Sequence, residues 1–162
     1  AHVSNLSLAE INDIFEIRSV LLGLAARQTC QRNDPRVVAE LVAGAKRISA
    51  LAKSNADAGE YVNSTYSLNL FLAESSGNEP LRAMIFSLAR RTLRYAMLGL
   101  STAERRLQSA RNWRRLARAI EKCQPLEAEA AARRLVDESR EKAVKLLRRQ
   151  APKGADQTPS SL

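Results

Sequence analysis

The fold of this chain is decided by the stretch "TYSLNLFLAESSGN", residues 65–78. Its apolar side chains recur at helical spacing, and Gly77-Asn78 is a good C-terminal stop for a helix. The same stretch places Thr65 and Asn69 one turn apart on the inward face, where leucine would make a drier core. We predict a helix over about residues 60–76 whose buried face contains hydrogen-bonding side chains.

Similar amphipathic segments occupy most of the chain on both sides of this stretch. Helix starts are indicated by a capping box, S-x-x-E, at Ser7 and Glu10, by Asp34-Pro35 and by Pro80. The predicted helices are a first one from residue 7, then 35–52, 60–76, one from 80 to a break near 99–102, one ending before Pro125, and 126–150. Because Gly and Pro are scarce and no period-2 alternation is present, we predict an all-α fold, an antiparallel bundle of six or seven helices.

Composition limits the domain organisation and the cellular compartment. At 162 residues, the chain suits one domain with a single core. No signal peptide and no apolar run long enough to cross a bilayer is evident, and Cys30 and Cys123 lack the spacing of a disulfide framework. We expect two free thiols near helix ends, a reducing cytoplasmic compartment and no membrane partner.

The formal net charge of +9 raises the alternative of a basic helical nucleic-acid-binding protein. The basic residues occur as scattered pairs, and they are not interleaved with the aromatic residues that base stacking requires. We interpret the pairs as solvated helix faces; they are Arg90–Arg91, Arg105–Arg106, Arg114–Arg115, Arg133–Arg134 and Arg148–Arg149. Under the alternative, the chain would bind heparin or DNA with a steep salt dependence.

Polar or amphipathic side chains fall on the inward stripes of four predicted helices. They are Arg18, Thr65, Asn69, Trp113 and Ser139. Convergent polar groups inside an apolar bundle are typical of a small-molecule pocket. Each residue type also has a structural interpretation. Ser and Thr can bond the carbonyl one turn back, an indole can fill a void, and a guanidinium can pair with a buried acid.

Three stretches of the chain resemble one known family. They are "LSLAEINDIFEIRSVLLGLAAR" with Glu16 and Arg18, "LAESSGN" followed by Glu79-Pro80-Leu81, and "NWRRLARAIEKCQPLEAEAAARRLVDES". Over about residues 6–150, the chain is similar to the effector-binding (FCD) C-terminal domain of GntR-family, FadR-like bacterial transcription regulators. The alternative of a TetR-like effector-binding module would share the pocket but not the "ESSGN" turn after the third helix.

Many domains of that family hold a divalent metal through an Asp and three His. In this sequence the Asp position falls on Thr65, its helix-mate His on Asn69, the second His on Trp113, and the last His on Ser139 or Leu135. Imidazole and carboxylate ligands are missing from all of these positions, and the single His, His2, precedes the bundle. With these departures, the resemblance implies a domain without a metal or another cofactor.

The ligand-binding residues that we predict are Arg18, Thr65, Asn69, Tyr95, Trp113 and Ser139. Arg18 is the candidate for direct contact with a small anionic effector, because a guanidinium pairs well with carboxylate or phosphate. Thr65 and Asn69 would form a neutral hydrogen-bonding floor, and Trp113 would narrow the cavity or stack on the effector. No Ser-His, Cys-His or paired inward carboxylates are evident, so we expect no catalytic residue and no enzyme activity.

The resemblance also implies a domain order and a set of partners. Residues 7–150 would form the effector-binding and dimerisation domain. Residues 1–6 would be the remnant of a linker from a missing winged helix-turn-helix domain, and residues 151–162 have the composition of a disordered tail. The family implies a homodimer with the first and fourth helices as interface candidates, and contact with DNA only through the absent domain.

Overall fold

The computed structural model of the chain describes residues 5–150, in which all regular secondary structure is α-helical. The helices are α1 (Leu8–Arg32), α2 (Pro35–Lys53), α3 (Ala58–Ser75), α4 (Glu79–Gly99), α5 (Ala103–Glu121) and α6 (Pro125–Gln150). The predicted all-α bundle is thus confirmed, with six helices in the described part of the chain. The predicted tail at 151–162, most of the predicted linker remnant, and His2 lie outside the described residues.

Signals between neighbouring residues determine where the helices begin and end. Ser7 Oγ accepts from the Glu10 amide at 3.1 Å, and the Glu10 carboxylate accepts from the Ser7 amide at 2.7 Å, so the predicted capping box is confirmed. Gly77 has a φ of 70°, a conformation that favours glycine. Asn78 then caps α4 by accepting from the Leu81 amide at 3.1 Å. The turn that closes α3 therefore also starts α4.

α1 and α6 pack along each other in opposite directions. Arg27 forms an ion pair with Glu129 at 3.2 Å, and the Ser19 hydroxyl donates to the carbonyl of Arg133 at 3.4 Å. Gly23 allows the close approach of the two helices, because a Cβ atom there would lie 2.7 Å from the Arg133 side chain. The small residue therefore determines how near α6 can come to α1.

α4 packs on another side of α1 and also runs antiparallel to it. Arg18 Nη1 donates to Thr92 Oγ1 at 3.0 Å, and Asn78 Nδ2 donates to Gln28 Oε1 at 3.2 Å near the other end of the pair. α3 packs against both of these helices, and α2 packs mainly against α5. α1 therefore contacts most of the other helices of the bundle.

One large apolar core runs through the bundle, and the bulkiest side chains buried in it are Trp113, Tyr61 and Phe15. A smaller cluster joins α1, α3 and α4 through buried Ala25, Ala73, Leu81 and Ile85. Partly buried apolar residues of α1 and α4 pack on this second cluster. The apolar surface of α1 and α4 thus continues beyond the fully buried core.

Arg105 is also buried, at the point where α4, α5 and α6 meet. It is 7% exposed; its Nε donates to the carbonyl of Gly99 at 3.2 Å, and its Nη1 donates to Gln108 and, at 3.4 Å, to Glu138. Asn112 Nδ2 donates to the same Glu138 oxygen at 2.6 Å. The prediction that Arg105 lies on a solvated face is therefore wrong, because α5 is oriented so that this side chain faces the carboxylate of α6.

Both cysteines are free thiols near helix ends, as predicted. Cys30 is buried near the end of α1, and Cys123 is exposed in the turn after α5 with a φ of 53°. Among residues 5–150, no helix combines the length and apolar character needed to cross a bilayer.

Candidate functional site

A small internal cavity lies between α1, α3, α4, α5 and α6. About 50 Å³ of it is open to the centre of a water molecule. Five of the six predicted ligand-binding residues line this cavity: Arg18, Thr65, Asn69, Trp113 and Ser139. Inward helical position therefore located side chains from four helices at one site. That these side chains bind a ligand stays a prediction.

Tyr95 does not belong to this group, and its assignment to the pocket needs correction. Its side chain is buried in the core, and its hydroxyl accepts from the Leu6 amide at 3.3 Å, on the segment that precedes α1. The helical stripe of α4 correctly predicts that Tyr95 points inward. It could not predict that the cavity lies alongside Ala89, Leu93 and Ala96 instead.

Arg18 is the charged group of the cavity, and its contacts are with neutral side chains. Nη1 donates to Thr92 Oγ1 at 3.0 Å, and the guanidinium carbon lies 5.0 Å from the centre of the Phe15 ring. No acidic side chain of residues 5–150 forms an ion pair with it. The suggested pairing with a buried acid is therefore not found within the described residues.

The electrostatic cost of this environment appears in the pKa of Arg18. Burial lowers that pKa from 12.5 to about 10, and the nearby Tyr66 hydroxyl acts in the opposite direction. The side chain is still a cation at neutral pH. An anion in the cavity would raise the pKa again, because an opposite charge favours the charged form.

Thr92 is a residue of this site that the sequence analysis did not single out. It is fully buried, and its hydroxyl donates to the Leu88 carbonyl at 2.7 Å while accepting from Arg18. The available signal was its place on the inward stripe of α4, the same signal that located Thr65. Its function as the partner of Arg18 depends on the packing of α4 against α1 and has no signal in the sequence.

The two polar residues of α3 differ in how well they are satisfied. Thr65 Oγ1 donates to the Val62 carbonyl at 2.9 Å, which is the ordinary structural arrangement for a buried threonine. Asn69 Oδ1 is buried and has no hydrogen-bond partner among the described residues. A buried acceptor without a donor costs free energy unless water or a ligand satisfies it. Asn69 is therefore the polar residue most in need of a ligand.

Trp113 is 2% exposed and both lines the cavity and belongs to the main core. A position of this kind is compatible with both interpretations made from the sequence, filling of a void and contact with an effector. In either case the indole takes up volume that a smaller residue would leave open. Trp113 therefore limits the size of any molecule that the cavity can hold.

The cavity does not fit the divalent metal that many members of the resembling family bind. Its wall contains no Asp, Glu, His or Cys, and residues 5–150 contain no group of three or more such residues close enough to hold a metal ion. Thr65, Asn69 and Ser139 offer neutral oxygen or amide groups, which are poor ligands for zinc-type ions. Leu135 and Ser139 both line the cavity, so both alignments of the last His position place that position in the wall.

A larger hollow lies on the surface between α2 and α3, with a volume of about 1100 Å³. It is an open groove, and its charged residues have solvent or each other as partners; Arg47 pairs with Glu40 at 2.7 Å. The groove therefore contrasts with the internal cavity, where polar groups are shielded from solvent and lack partners. Volume alone would select the groove, but the unsatisfied polar groups are found in the cavity.

The exposed face of α5 contains a basic stripe, formed by Arg111, Arg114, Arg115, Arg118 and Lys122. These side chains lie within one arc of the helix and form no ion pairs with described residues. The only tryptophan of the chain is buried beneath them and cannot stack on a base. The stripe thus agrees with the interpretation of a solvated basic face.

Two comparisons with known proteins bear on this site. A family model described as "FCD domain" matches residues 13–138, which is most of the chain and includes nearly the whole cavity wall. No curated protein gives a significant match.

Proposed function

The chain belongs to the FCD domain family, the C-terminal effector-binding domains of GntR-family, FadR-like transcription regulators, and on this premise we propose that its cavity binds a small anion directly, without a metal. The observation that carries the proposal is the buried cation of Arg18, whose hydrogen-bond partner among the described residues is the neutral Thr92. The protein would act as a sensor and not as an enzyme. Its cavity wall has no acid–base pair for catalysis.

Physical reasoning supports an anion as the ligand. A buried charge without a counter-charge destabilises a fold, and the lowered pKa of Arg18 reflects this desolvation. A carboxylate or phosphate placed against the guanidinium would form charge-assisted hydrogen bonds in a dry environment, where such bonds are strong. The ligand would thereby supply the counter-charge that the protein lacks.

The same residue offers a route from the cavity to the packing of α1 against α4. Arg18 lies on α1 and donates to Thr92 on α4, so it connects the two helices. An anion that recruits the guanidinium would weaken this connection and favour a different α1–α4 arrangement. It can do so only by binding one arrangement more tightly than the other. A DNA-binding domain attached before α1 would then change its position.

We also propose that α1 and α4 form the interface of a homodimer. Ile17 and Val20 are 48% and 49% exposed on α1, and Met84 is 51% exposed on α4. Because the two helices are antiparallel, these side chains lie on one outer side of the pair, next to the partly buried Leu21 and Leu24. A neighbouring exposed apolar surface of this kind is typical of a protein–protein contact.

The test of the anion site is the variant Arg18→Met, which keeps the length of the side chain and removes its charge. Binding of acetate and of inorganic phosphate is measured by calorimetry in the unmodified chain. Whichever anion binds should bind at least about tenfold more weakly to the variant, since hydrogen bonds to charged groups are worth about 1.5–3 kcal/mol. The matched control is Arg90→Met, which removes the same charge from an exposed position of α4.

Two results would overturn this proposal. One is that no anion binds in a manner that depends on Arg18; the other is that Arg90→Met weakens binding as much as Arg18→Met does. A native mass spectrum of chain purified without an affinity tag gives a separate check. It should contain no stoichiometric zinc, nickel or manganese, and one such ion per chain would contradict a metal-free site.

The dimer is tested with Met84→Lys, which places a charge within the proposed interface. Sedimentation equilibrium should show at least about tenfold weaker self-association, because a lysine in the core of an interface loses its hydration. The control is Met97→Lys, since Met97 is 49% exposed but lies about 220° further around α4. Equal effects of the two substitutions would show that the interface lies elsewhere.

A further inference from the structure

We infer that the cavity selects a short hydroxy carboxylate, with the carboxylate on Arg18 and the hydroxyl donating to Asn69 Oδ1. The inference rests on the proposed function of the cavity as an anion site, and it adds the chemical class of the anion. It starts from two unsatisfied groups in one small space, a cation without a counter-charge and an acceptor without a donor.

Asn69 Oδ1 requires a donor, and its neighbours do not provide one. The hydroxyl of Thr65, one turn earlier on α3, donates to the Val62 carbonyl, and Arg18 Nη1 donates to Thr92. A water molecule can satisfy the amide oxygen while the cavity holds no ligand. A ligand that displaces this water loses affinity unless it brings a donor of its own. The amide oxygen therefore favours an anion that also carries a hydroxyl group.

The size of the cavity restricts the ligand further. At roughly 10–15 Å³ of such space per water molecule, about four waters fit in it, which corresponds to a ligand of about four or five non-hydrogen atoms. The actual space is about 50 Å³, whereas pockets for drug-sized ligands measure about 300–1,000 Å³. Long acyl chains and sugar acids are too large. A two- or three-carbon acid fits.

Charge separates a hydroxy acid from an amino acid of the same size. The wall contains one cation, Arg18, and no Asp or Glu. An ammonium group in this space would lack a counter-charge and would repel the guanidinium. A hydroxyl donates to Asn69 Oδ1 without adding charge. The wall therefore favours a monoanion with a neutral donor.

The experiment compares three nearly isosteric probes, acetate, glycolate and glycine, by calorimetry on the unmodified chain. Glycolate should bind about 10- to 100-fold more tightly than acetate, since satisfying a buried acceptor has an effect of that size. Glycine should bind no more tightly than acetate. Equal affinity for acetate and glycolate, or tighter binding of glycine than of glycolate, overturns the inference.

The variant Asn69→Leu assigns the preference to one atom. It removes the acceptor and leaves Arg18 in place, so glycolate affinity should fall to that of acetate while acetate affinity stays within about twofold. The control is Asn63→Leu, which makes the same change at an exposed position of the same helix, and both variants are checked for unchanged helical circular dichroism. A glycolate preference that survives Asn69→Leu overturns the assignment.

The outcomes separate this inference from the proposed function. If acetate and glycolate bind equally and both need Arg18, the anion site stands and the hydroxyl preference fails. If neither acetate, glycolate nor phosphate binds in an Arg18-dependent manner, the anion site itself fails and the preference fails with it.

Discussion

Arg18 and Arg105 are two buried arginines of one bundle, and their surroundings differ in the way that separates a binding site from a structural site. Arg105 is held by the Glu138 carboxylate at 3.4 Å and by the carbonyl of Gly99 at 3.2 Å. Arg18 has a threonine hydroxyl and an aromatic ring as its contacts. The protein supplies the counter-charge of one arginine and omits that of the other, so the second site is open to an anion from solution.

The comparison also shows why burial alone does not indicate function. A buried ion pair contributes little net stability but is costly to break, because the remaining partner keeps its desolvation cost. A buried cation without a carboxylate already carries that cost in the folded protein. Removing it should therefore be cheap for the fold and expensive for ligand binding. The following predictions test this opposition.

The largest effect is expected for Glu138→Gln, which leaves the Arg105 charge buried without its carboxylate and keeps the shape of the side chain. We expect a loss of about 3 kcal/mol in the free energy of unfolding, at the low end for buried pairs because Glu138 is 21% exposed. Urea unfolding followed by circular dichroism measures it. A loss below about 0.5 kcal/mol would place this pair with ordinary surface ion pairs.

An intermediate effect is expected from pH on anion affinity. The pKa of Arg18 is lowered to about 10, so the guanidinium is charged at about pH 7 and mostly neutral at about pH 11. Acetate stays ionised throughout, and its affinity should be about tenfold weaker at the higher pH. Calorimetry at both values measures it, with circular dichroism to show that the chain stays folded. Affinity that does not change with pH would mean that Arg18 is not the group that binds the anion.

The same pKa defines the sign of the effect on stability. The folded value of about 10 lies below the ordinary value of 12.5, so folding disfavours the charged form of Arg18. This residue therefore destabilises the fold below about pH 10, and the penalty disappears as the pH rises toward 12.5. An anion bound at neutral pH would offset it.

The smallest effect is expected for the stability of Arg18→Met without any anion. The variant loses a hydrogen bond to Thr92 but also loses a buried charge, so the free energy of unfolding should change by less than about 1 kcal/mol in either direction. Urea unfolding beside Glu138→Gln gives the direct contrast. If the two variants are equally destabilised, Arg18 is as structural as Arg105 and the comparison fails.

The sequence was informative where the responsible residues are near one another in the chain. The Ser7–Glu10 capping box and the Gly77-Asn78 turn are formed by residues within three positions, and both were predicted. Inward position on a helix is local too, because it depends on the 3.6-residue period. This explains why Arg18, Thr65, Asn69, Trp113 and Ser139 were all placed on inward faces and line one cavity.

The failures involve contacts between helices. Arg18 and Thr92 are 74 positions apart, and nothing near either residue indicates that they meet. Arg105 was taken for a solvated residue because its carboxylate partner is 33 positions away on α6. Tyr95 points inward as its stripe predicts, yet it packs beside Leu6 and not at the cavity.

The amino-acid sequence by itself determined the helices, their ends and the faces that they bury, and through its motifs it indicated the family and the loss of the metal ligands. Only the tertiary structure decided which buried polar groups find partners: Arg105 meets a carboxylate, whereas Arg18 and Asn69 Oδ1 do not. The physical reason is that helical periodicity is a property of neighbouring residues. Hydrogen bonds and ion pairs across a bundle depend instead on the relative position and rotation of whole helices, which every packed side chain influences together.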